Sequence, residues 1–158
     1  MILGLTPLVA FHTLLSLIAL VVGIVATLDF VAGRGAPRGA GLYLAVGLLS
    51  ILTGFILPAS KILPSHIVGV ISLVLLLLAV AGRRKSTGKW CVTYAATLIV
   101  SVYLQAFVTV VQAFLKIPPL KAAAPTQTEL PFVATQGVVF IAFALLTVVG
   151  ARRYARAQ

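Results

Sequence analysis

The chain has 158 residues, of which 61% are hydrophobic and only 9% are charged, whereas soluble domains carry about 25% charged residues. This composition excludes a water-soluble globular domain, and the single cysteine, Cys91, excludes a disulfide scaffold. The chain contains twelve Lys and Arg residues but only two acids, Asp29 and Glu129. No DNA- or RNA-binding motif accompanies this positive charge, so we expect no nucleic-acid partner and assign the charge to loops that flank membrane spans.

Five stretches are apolar over about the 20 residues that a helix needs to cross the hydrocarbon core of a bilayer. They run over about 7–30, 39–57, 65–81, 91–115 and 132–151. Gly, Pro and charged residues separate them, and no internal repeat or second domain is evident. The sequence therefore predicts an all-α integral membrane protein, a single domain over 1–158 that forms a bundle of five transmembrane helices.

The second and third stretches could be two crossings or a re-entrant pair. Their connection places Lys61 between Pro58 and Pro64, which is typical of a tight turn at a membrane surface. The sequence thus favours two full crossings.

The distribution of Lys and Arg predicts the orientation of the bundle. Alternate connections and the tail carry nine of these residues, against three on the opposite side: Arg34, Arg38, Arg83, Arg84, Lys85, Lys89, Arg152, Arg153 and Arg156 against Lys61, Lys116 and Lys121. The positive-inside rule then places the N-terminus outside and the C-terminus in the cytoplasm. Arg83, Arg84, Lys85 and Lys89 are predicted to bind anionic lipid head groups.

Small or weakly polar residues recur every three or four positions in three of the spans. They are His12, Ser16, Ala19, Gly23 and Thr27 in the first, Gly47, Ser50 and Gly54 in the second, and Gly137, Ala144, Thr147 and Ala151 in the fifth. Such stripes are typical of close helix packing in membranes. We expect these faces to meet neighbouring helices.

The fourth span has the most polar side chains and is the expected central helix of the bundle. Gln105 falls near the middle of the bilayer, so its amide must bond to neighbouring helices or face a polar cavity. Gln112, and Gln136 of the fifth span, come to the predicted outer side. The sequence offers Ser101, Gln105, Gln112 and Gln136 as the lining of a ligand pocket, with interhelical hydrogen bonding as the alternative.

Two histidines lie at similar depth at the predicted outer end, His12 in the first span and His66 at the start of the third. They could ligate a haem iron, share a metal, relay a proton, or bond to carbonyls and head groups. A zinc or calcium site is not expected, because Cys91 lies at the opposite end and Glu129 is a lone loop carboxylate.

No catalytic set can be assembled from these residues, and we expect a protein that is not an enzyme. The two acids lie on opposite sides of the membrane and cannot form a carboxylate pair. Asp29 ends the first span near Arg34 and Arg38, where an ion pair is the simplest interpretation.

Part of the chain resembles an uncharacterised family of bacterial polytopic membrane proteins. The resemblance covers roughly 11–105 and is carried by Thr53-Gly54-Phe55-Ile56, by Ser65-His66-Ile67-Val68-Gly69-Val70-Ile71-Ser72, and by Arg83-Arg84. In that family a Pro-Ile-His-Leu-type motif opens a helix and a histidine lies early in the first helix, as His12 does here. The resemblance implies a multi-pass protein of the bacterial inner membrane with histidine-bearing, cytochrome b561-like helices.

The resemblance also bears on haem. The family has further histidines at cytoplasmic helix starts, where this chain has Gly39 and Trp90-Cys91. Haem b, if bound, would therefore have only the outer pair His12 and His66 as ligands.

Three functional hypotheses follow. The first is a small non-enzymatic protein without a cofactor that serves as an accessory or assembly partner of a larger membrane complex. The second is a b-type haem protein that uses His12 and His66. The third is a membrane pocket or transporter for a lipid-like or small apolar molecule.

Overall fold

The computed structural model describes residues 6–57, 64–85 and 87–158, and the regular structure in these ranges is helical. The six helices are α1 (Pro7–Val31), α2 (Ala40–Ile56), α3 (Pro64–Lys85), α4 (Lys89–Lys116), α5 (Pro118–Ala123) and α6 (Leu130–Arg156). The all-α fold class is therefore confirmed. The predicted turn over 58–63 lies outside the described residues.

Within the described ranges, four helices are long and apolar enough to cross a membrane: α1, α3 from His66 onward, α4 and α6. The fifth predicted span, α2, is apolar but has only 17 residues. At 1.5 Å per residue it is about 26 Å long, slightly less than a typical hydrocarbon core. The helices fit a multi-pass membrane protein.

Helix ends follow local sequence signals. The Thr6 hydroxyl accepts a hydrogen bond from the Val9 N–H before Pro7 opens α1. Positive φ angles at Gly39 and Gly88 precede α2 and α4, a conformation that glycine adopts without the Cβ penalty.

Two helices are longer than the apolar stretches that predicted them. Helix α3 continues through its basic residues to Lys85 instead of ending near position 81, because positive side chains are favourable in the last turn of a helix. Helix α6 extends to Arg156 for the same reason. The proline-rich segment before it contains the six-residue helix α5.

Helices α1, α2, α3 and α4 form a ring in which each contacts the next and α4 returns to α1. Helix α6 packs outside this ring against both α1 and α4. The expectation that the fourth span is the central helix is confirmed, since α4 contacts α1, α3, α5 and α6.

The packed core lies at the end of the ring where α1 ends and α4 begins. The rings of Phe30, Tyr94 and Tyr154 contact one another edge to face, with centroids 4.9–5.7 Å apart. Beside them the backbones of α3 and α4 are in close contact at Gly82. A Cβ at this position would lie only 2.9 Å from the Tyr94 nitrogen. Aromatic rings and backbone contacts therefore pack this end of the bundle closely.

The outward helix faces expose large apolar side chains. Val21 of α1, Leu77 of α3 and Leu145 of α6 are 62%, 58% and 63% exposed. Water would make such surfaces costly, whereas lipid does not. These faces suit contact with hydrocarbon chains.

The predicted small-residue faces are confirmed in the first two spans and only partly in the last. Ala19, Gly23, Gly47 and Ser50 are buried between helices. In α6, by contrast, Ala144 is exposed and a Cβ on Gly137 would touch nothing within 4 Å. The small residues at the end of α6 do pack closely, where Gly150 meets Ile99 and Phe30.

Candidate functional site

A cavity of about 470 Å³ opens inside the ring, at the end opposite the aromatic core. Helices α1 and α3 begin at this end, and α2 and α4 end there. The volume falls within the range of sites for small molecules. The lining is mainly apolar and includes ten polar side chains: His12, Thr13, Ser16, Ser50, His66, Ser72, Gln105, Thr109, Gln112 and Lys116.

His12 is held against α2 by a hydrogen bond. Its Nδ1 lies 3.0 Å from Thr53 Oγ1, and that hydroxyl in turn lies 2.9 Å and 3.0 Å from the carbonyl oxygens of Leu49 and Ser50. Because the Thr53 hydroxyl has a single hydrogen and directs it to these carbonyls, we assign the neutral imidazole proton to Nδ1. Nε2 then keeps the lone pair that could accept a proton or ligate a metal.

Gly54 makes the position of His12 possible. A Cβ at Gly54 would lie 3.1 Å from His12 Cε1. The glycine therefore lets the imidazole approach the α2 backbone within reach of Thr53.

His66 lies on the opposite wall, against an aromatic ring of α2. The imidazole and the Phe55 ring are stacked, with centroids 6.2 Å apart and an interplanar angle of 24°. Phe55 fits there because Gly69 has no side chain, since a Cβ at that position would lie 3.1 Å from Phe55 Cζ. The two histidines thus line one cavity, as their predicted common depth required.

Hydrogen bonds between helices line the deep part of the cavity. Ser16 Oγ and Ser50 Oγ are 2.8 Å apart and join α1 to α2. Gln105 Nε2 donates to the Ser16 carbonyl at 3.2 Å and so joins α4 to α1. Gln105 was expected either to bond to a neighbouring helix or to face a cavity, and it does both.

Ser101 lies outside the cavity lining, deeper in the bundle. Its Oγ is 2.8 Å from the Tyr43 hydroxyl and donates to the Leu98 carbonyl. This contact crosses the ring from α2 to α4. The assignment of Ser101 to a ligand pocket is not supported; its role here is interhelical hydrogen bonding.

Gln136 is also outside the lining, because α6 packs on the other side of α4. Its Nε2 donates to the Phe107 carbonyl at 3.2 Å, and its Oε1 is buried without a partner in the described part of the chain. Of the four glutamine and serine positions predicted for the pocket, Gln105 and Gln112 line it and Ser101 and Gln136 do not.

The ion pairs predicted for Asp29 are present in the structure. Asp29 is buried and forms ion pairs with Arg34 and Arg38, and it also accepts the Arg38 backbone N–H at 2.7 Å. Within the described ranges, no three His, Cys, Asp or Glu residues lie close enough to hold a metal ion. Cys91 is buried beside the aromatic core, at the far end from the histidines.

Lys85, near the end of the basic run, contacts an aromatic ring. Lys85 Nζ lies 3.9 Å from the centroid of the Trp90 ring, a cation–π contact. Arg84, Lys85 and Lys89 are exposed.

Sequence reasoning did not assign Lys116 to the site, although the spacing contains the signal. Gln105, Thr109, Gln112 and Lys116 follow one another at steps of four, three and four residues, which places them on one face of α4. Lys116 therefore lies at the end of this polar row, although its charge was assigned to the connection after the fourth span.

Comparisons with family models, with curated proteins and with solved structures find no significant match to this chain.

Proposed function

We propose that the chain is a multi-pass protein of the bacterial inner membrane that binds a small lipid-like or apolar molecule in the cavity between α1, α2, α3 and α4. In this proposal all five apolar helices cross, with the N-terminus outside, so the cavity lies in the outer half. The observation that carries it is a ligand-sized cavity with apolar walls and a few convergent polar groups, the usual composition of a small-molecule site.

The cavity favours ligand binding over the accessory role. The argument for a partner protein came from the small-residue faces, and in α1 and α2 these faces pack inside the bundle, where they need no partner. The exposed leucines and valines are satisfied by lipid. An assembly role therefore has less support than a pocket does.

The polar groups also suggest binding without catalysis. Ser16, Ser50 and Gln105 already bond one another, so they shape the wall and are not poised to react. His12 and His66 have no carboxylate or thiolate among the described residues that line the cavity. A site of this kind can hold, orient and release a molecule.

A b-type haem protein is the second candidate, favoured by the position of both histidines on one cavity. His12 suits axial ligation: its Nδ1–H donates to Thr53, as the second nitrogen of metal-bound histidines usually donates to a neighbouring group, and Nε2 is left to ligate. Bound there, haem b would supply one-electron transfer. An absorption spectrum after haem-replete expression decides this candidate, since absence of a Soret band eliminates it.

Mass spectrometry of the purified protein tests the main proposal. Val108 lines the cavity, so Val108→Trp fills it, whereas Leu145→Trp adds the same side chain on an exposed face of α6. We expect a small molecule to co-purify with the wild type and with Leu145→Trp, and to be depleted at least tenfold in Val108→Trp. Equal amounts in both variants, or none in any sample, would contradict the proposal.

A further inference from the structure

Given that the proposed ligand cavity is correct, we infer that its ligand is a single-chain amphiphile with an anionic head group, placed at Lys116, and an apolar tail that enters the ring. Three features of the described residues support this: the charge around the cavity, the opposing helix ends at its mouth, and the hydrogen bonds of its deep wall.

The charge around the cavity is positive and has no internal counter-ion. Lys116 is the charged side chain of the lining, and no Asp or Glu is among the lining residues that the structure describes. Asp29 is paired with two arginines at the far end of the bundle. Glu129 accepts hydrogen bonds from the Thr126 hydroxyl and from the backbone N–H groups of Thr126 and Thr128. Neither acid is therefore available to neutralise a cation bound in the cavity.

The positive charge of Lys116 affects the electrostatic potential inside the cavity as well as at the surface. It is close enough to His12, on the neighbouring helix α1, to interact with it electrostatically. A positive charge at this place attracts an anion and repels a cationic head group.

The partial charges of the helix ends around the cavity mouth do not reverse the positive sign of the local electrostatic potential. Two helices, α1 and α3, begin at this end and present partial positive charges, while α2 and α4 end there and present partial negative charges. Because the two contributions oppose each other, the Lys116 side chain sets the sign of the local potential.

The deep wall is suited to an alkyl chain. Ser16, Ser50 and Gln105 direct polar atoms toward one another or toward the Ser16 carbonyl. Leu17, Ile51 and Leu104 add apolar surface to the same lining. Since Ser16, Ser50 and the Gln105 amide nitrogen are bonded within the wall, a chain without polar atoms can pack there without breaking these hydrogen bonds.

Binding of four hexadecyl probes to the full-length protein in phosphatidylcholine nanodiscs tests this inference. The probes share one chain and differ in the head group: hexadecanoate and hexadecyl phosphate are anionic, hexadecanol is neutral and hexadecylamine is cationic. At pH 9 we expect both anions, or one of them, to bind at least fivefold tighter than hexadecanol, about the factor for one lysine charge near a membrane surface. Which anion binds better distinguishes a carboxylate from a phosphate head group.

Matched lysine variants locate the charge. Lys116→Ala should remove the preference for anions, and Lys116→Arg should keep it. Lys121→Ala, which removes an exposed lysine of α5 outside the lining, should leave it unchanged.

The outcomes separate this inference from the proposed function. If hexadecanol binds as tightly as the anions and Val108→Trp still displaces it, the cavity binds lipid-like molecules and the anionic inference is wrong. A preference for anions that survives Lys116→Ala overturns the inference as well. If no probe binds in a manner sensitive to Val108→Trp, the proposed function itself fails.

Discussion

At the scale of single residues, glycines decide how closely the helices of the ring approach. Gly54 admits the His12 ring and Gly69 admits the Phe55 ring, so both histidine walls depend on a missing side chain. Gly23 likewise allows close approach deeper in the bundle, where α1 contacts both α2 and α4. In a membrane, where packing replaces the hydrophobic effect as the driving force between helices, such contacts carry much of the association.

Gly23→Ala is expected to destabilise the bundle by about 1–3 kcal/mol through overpacking. The new Cβ would lie 2.7 Å from Val102 Cγ2 and 2.9 Å from the Tyr43 ring. Tyr43 cannot easily withdraw, because its hydroxyl is bonded to Ser101. Equilibrium unfolding in mixed detergent–SDS micelles measures the change.

Gly137→Ala is the matched control for that measurement. A Cβ there meets nothing within 4 Å, and alanine is the better helix former. The control should be as stable as the wild type or slightly more stable. A Gly23→Ala protein that behaves like Gly137→Ala would show that the α1 contact is not close-packed.

At the scale of elements, the start of α6 is organised by a carboxylate. Glu129 precedes the helix and accepts three hydrogen bonds from the Thr126–Thr128 turn. Desolvation would raise the pKa of Glu129, but these hydrogen bonds outweigh it and hold the pKa below its ordinary value. A negative charge is also favourable at the N-terminal end of a helix.

The sign of this shift predicts the pH range in which the turn is stable. The pKa of Glu129 is lower in the folded protein than in the unfolded chain. The hydrogen bonds to its carboxylate therefore stabilise the turn fully at a pH above the ordinary glutamate pKa, and this stabilisation is lost as the pH falls through the lowered pKa. Thr126→Val should raise the pKa of Glu129 toward its ordinary value, since the hydroxyl donor is removed. Glu129 is the only glutamate in the chain, so ¹³C-labelled glutamate reports its titration by NMR.

Thr135→Val is the control for the titration, since the Thr135 hydroxyl donates to the Pro131 carbonyl and not to Glu129. It should leave the titration unchanged. An identical titration curve for Thr126→Val and the wild type would contradict the assigned cause.

At the scale of the whole molecule, the bundle is asymmetric along its axis. The end with the aromatic core is closed by Phe30, Tyr94 and Tyr154, while the other end encloses the cavity. Most Lys and Arg residues belong to the closed end. With the proposed orientation, the cavity is accessible from the outer leaflet and the closed end faces the cytoplasm.

Cysteine labelling of intact cells tests the five crossings. In a Cys91→Ser background, single cysteines at Ala36, Lys61, Thr87, Thr126 and Ala157 report on one connection or terminus each. We expect a membrane-impermeant maleimide to label the Lys61 and Thr126 positions in intact cells, and the other three only after lysis. Labelling of the Lys61 position only after lysis would show that α2 and α3 do not both cross.

Much of the fold could be predicted because position along a helix follows directly from sequence. Each residue advances the helix by 1.5 Å, so the apolar stretches gave the helices to within a few residues, and His12 and His66 were correctly expected at one depth. The exceptions were basic ends such as Lys85, which hydropathy excludes from a span although helix formation continues through them.

The composition of the site could be predicted only in part, because rotation about the helix axes and the choice of neighbours are not encoded in spacing. Gln112 and Gln136 were expected at the same end, yet Gln112 lines the cavity while Gln136 bonds to Phe107 on the far side of α4. Ser101 shares a helix with Gln105 but faces Tyr43. No pattern in one chain says that α6 lies outside the ring.

By itself, the sequence determined that this protein has apolar helices suited to a bilayer, and where along each helix its few polar groups lie, because hydropathy and helical rise are local properties. Only the tertiary structure decided that four helices close into a ring around a cavity, that the two histidines and Lys116 share it, and that Ser101 and Gln136 do not. Those facts depend on which faces pack together, and packing is settled by contacts between residues far apart in the chain.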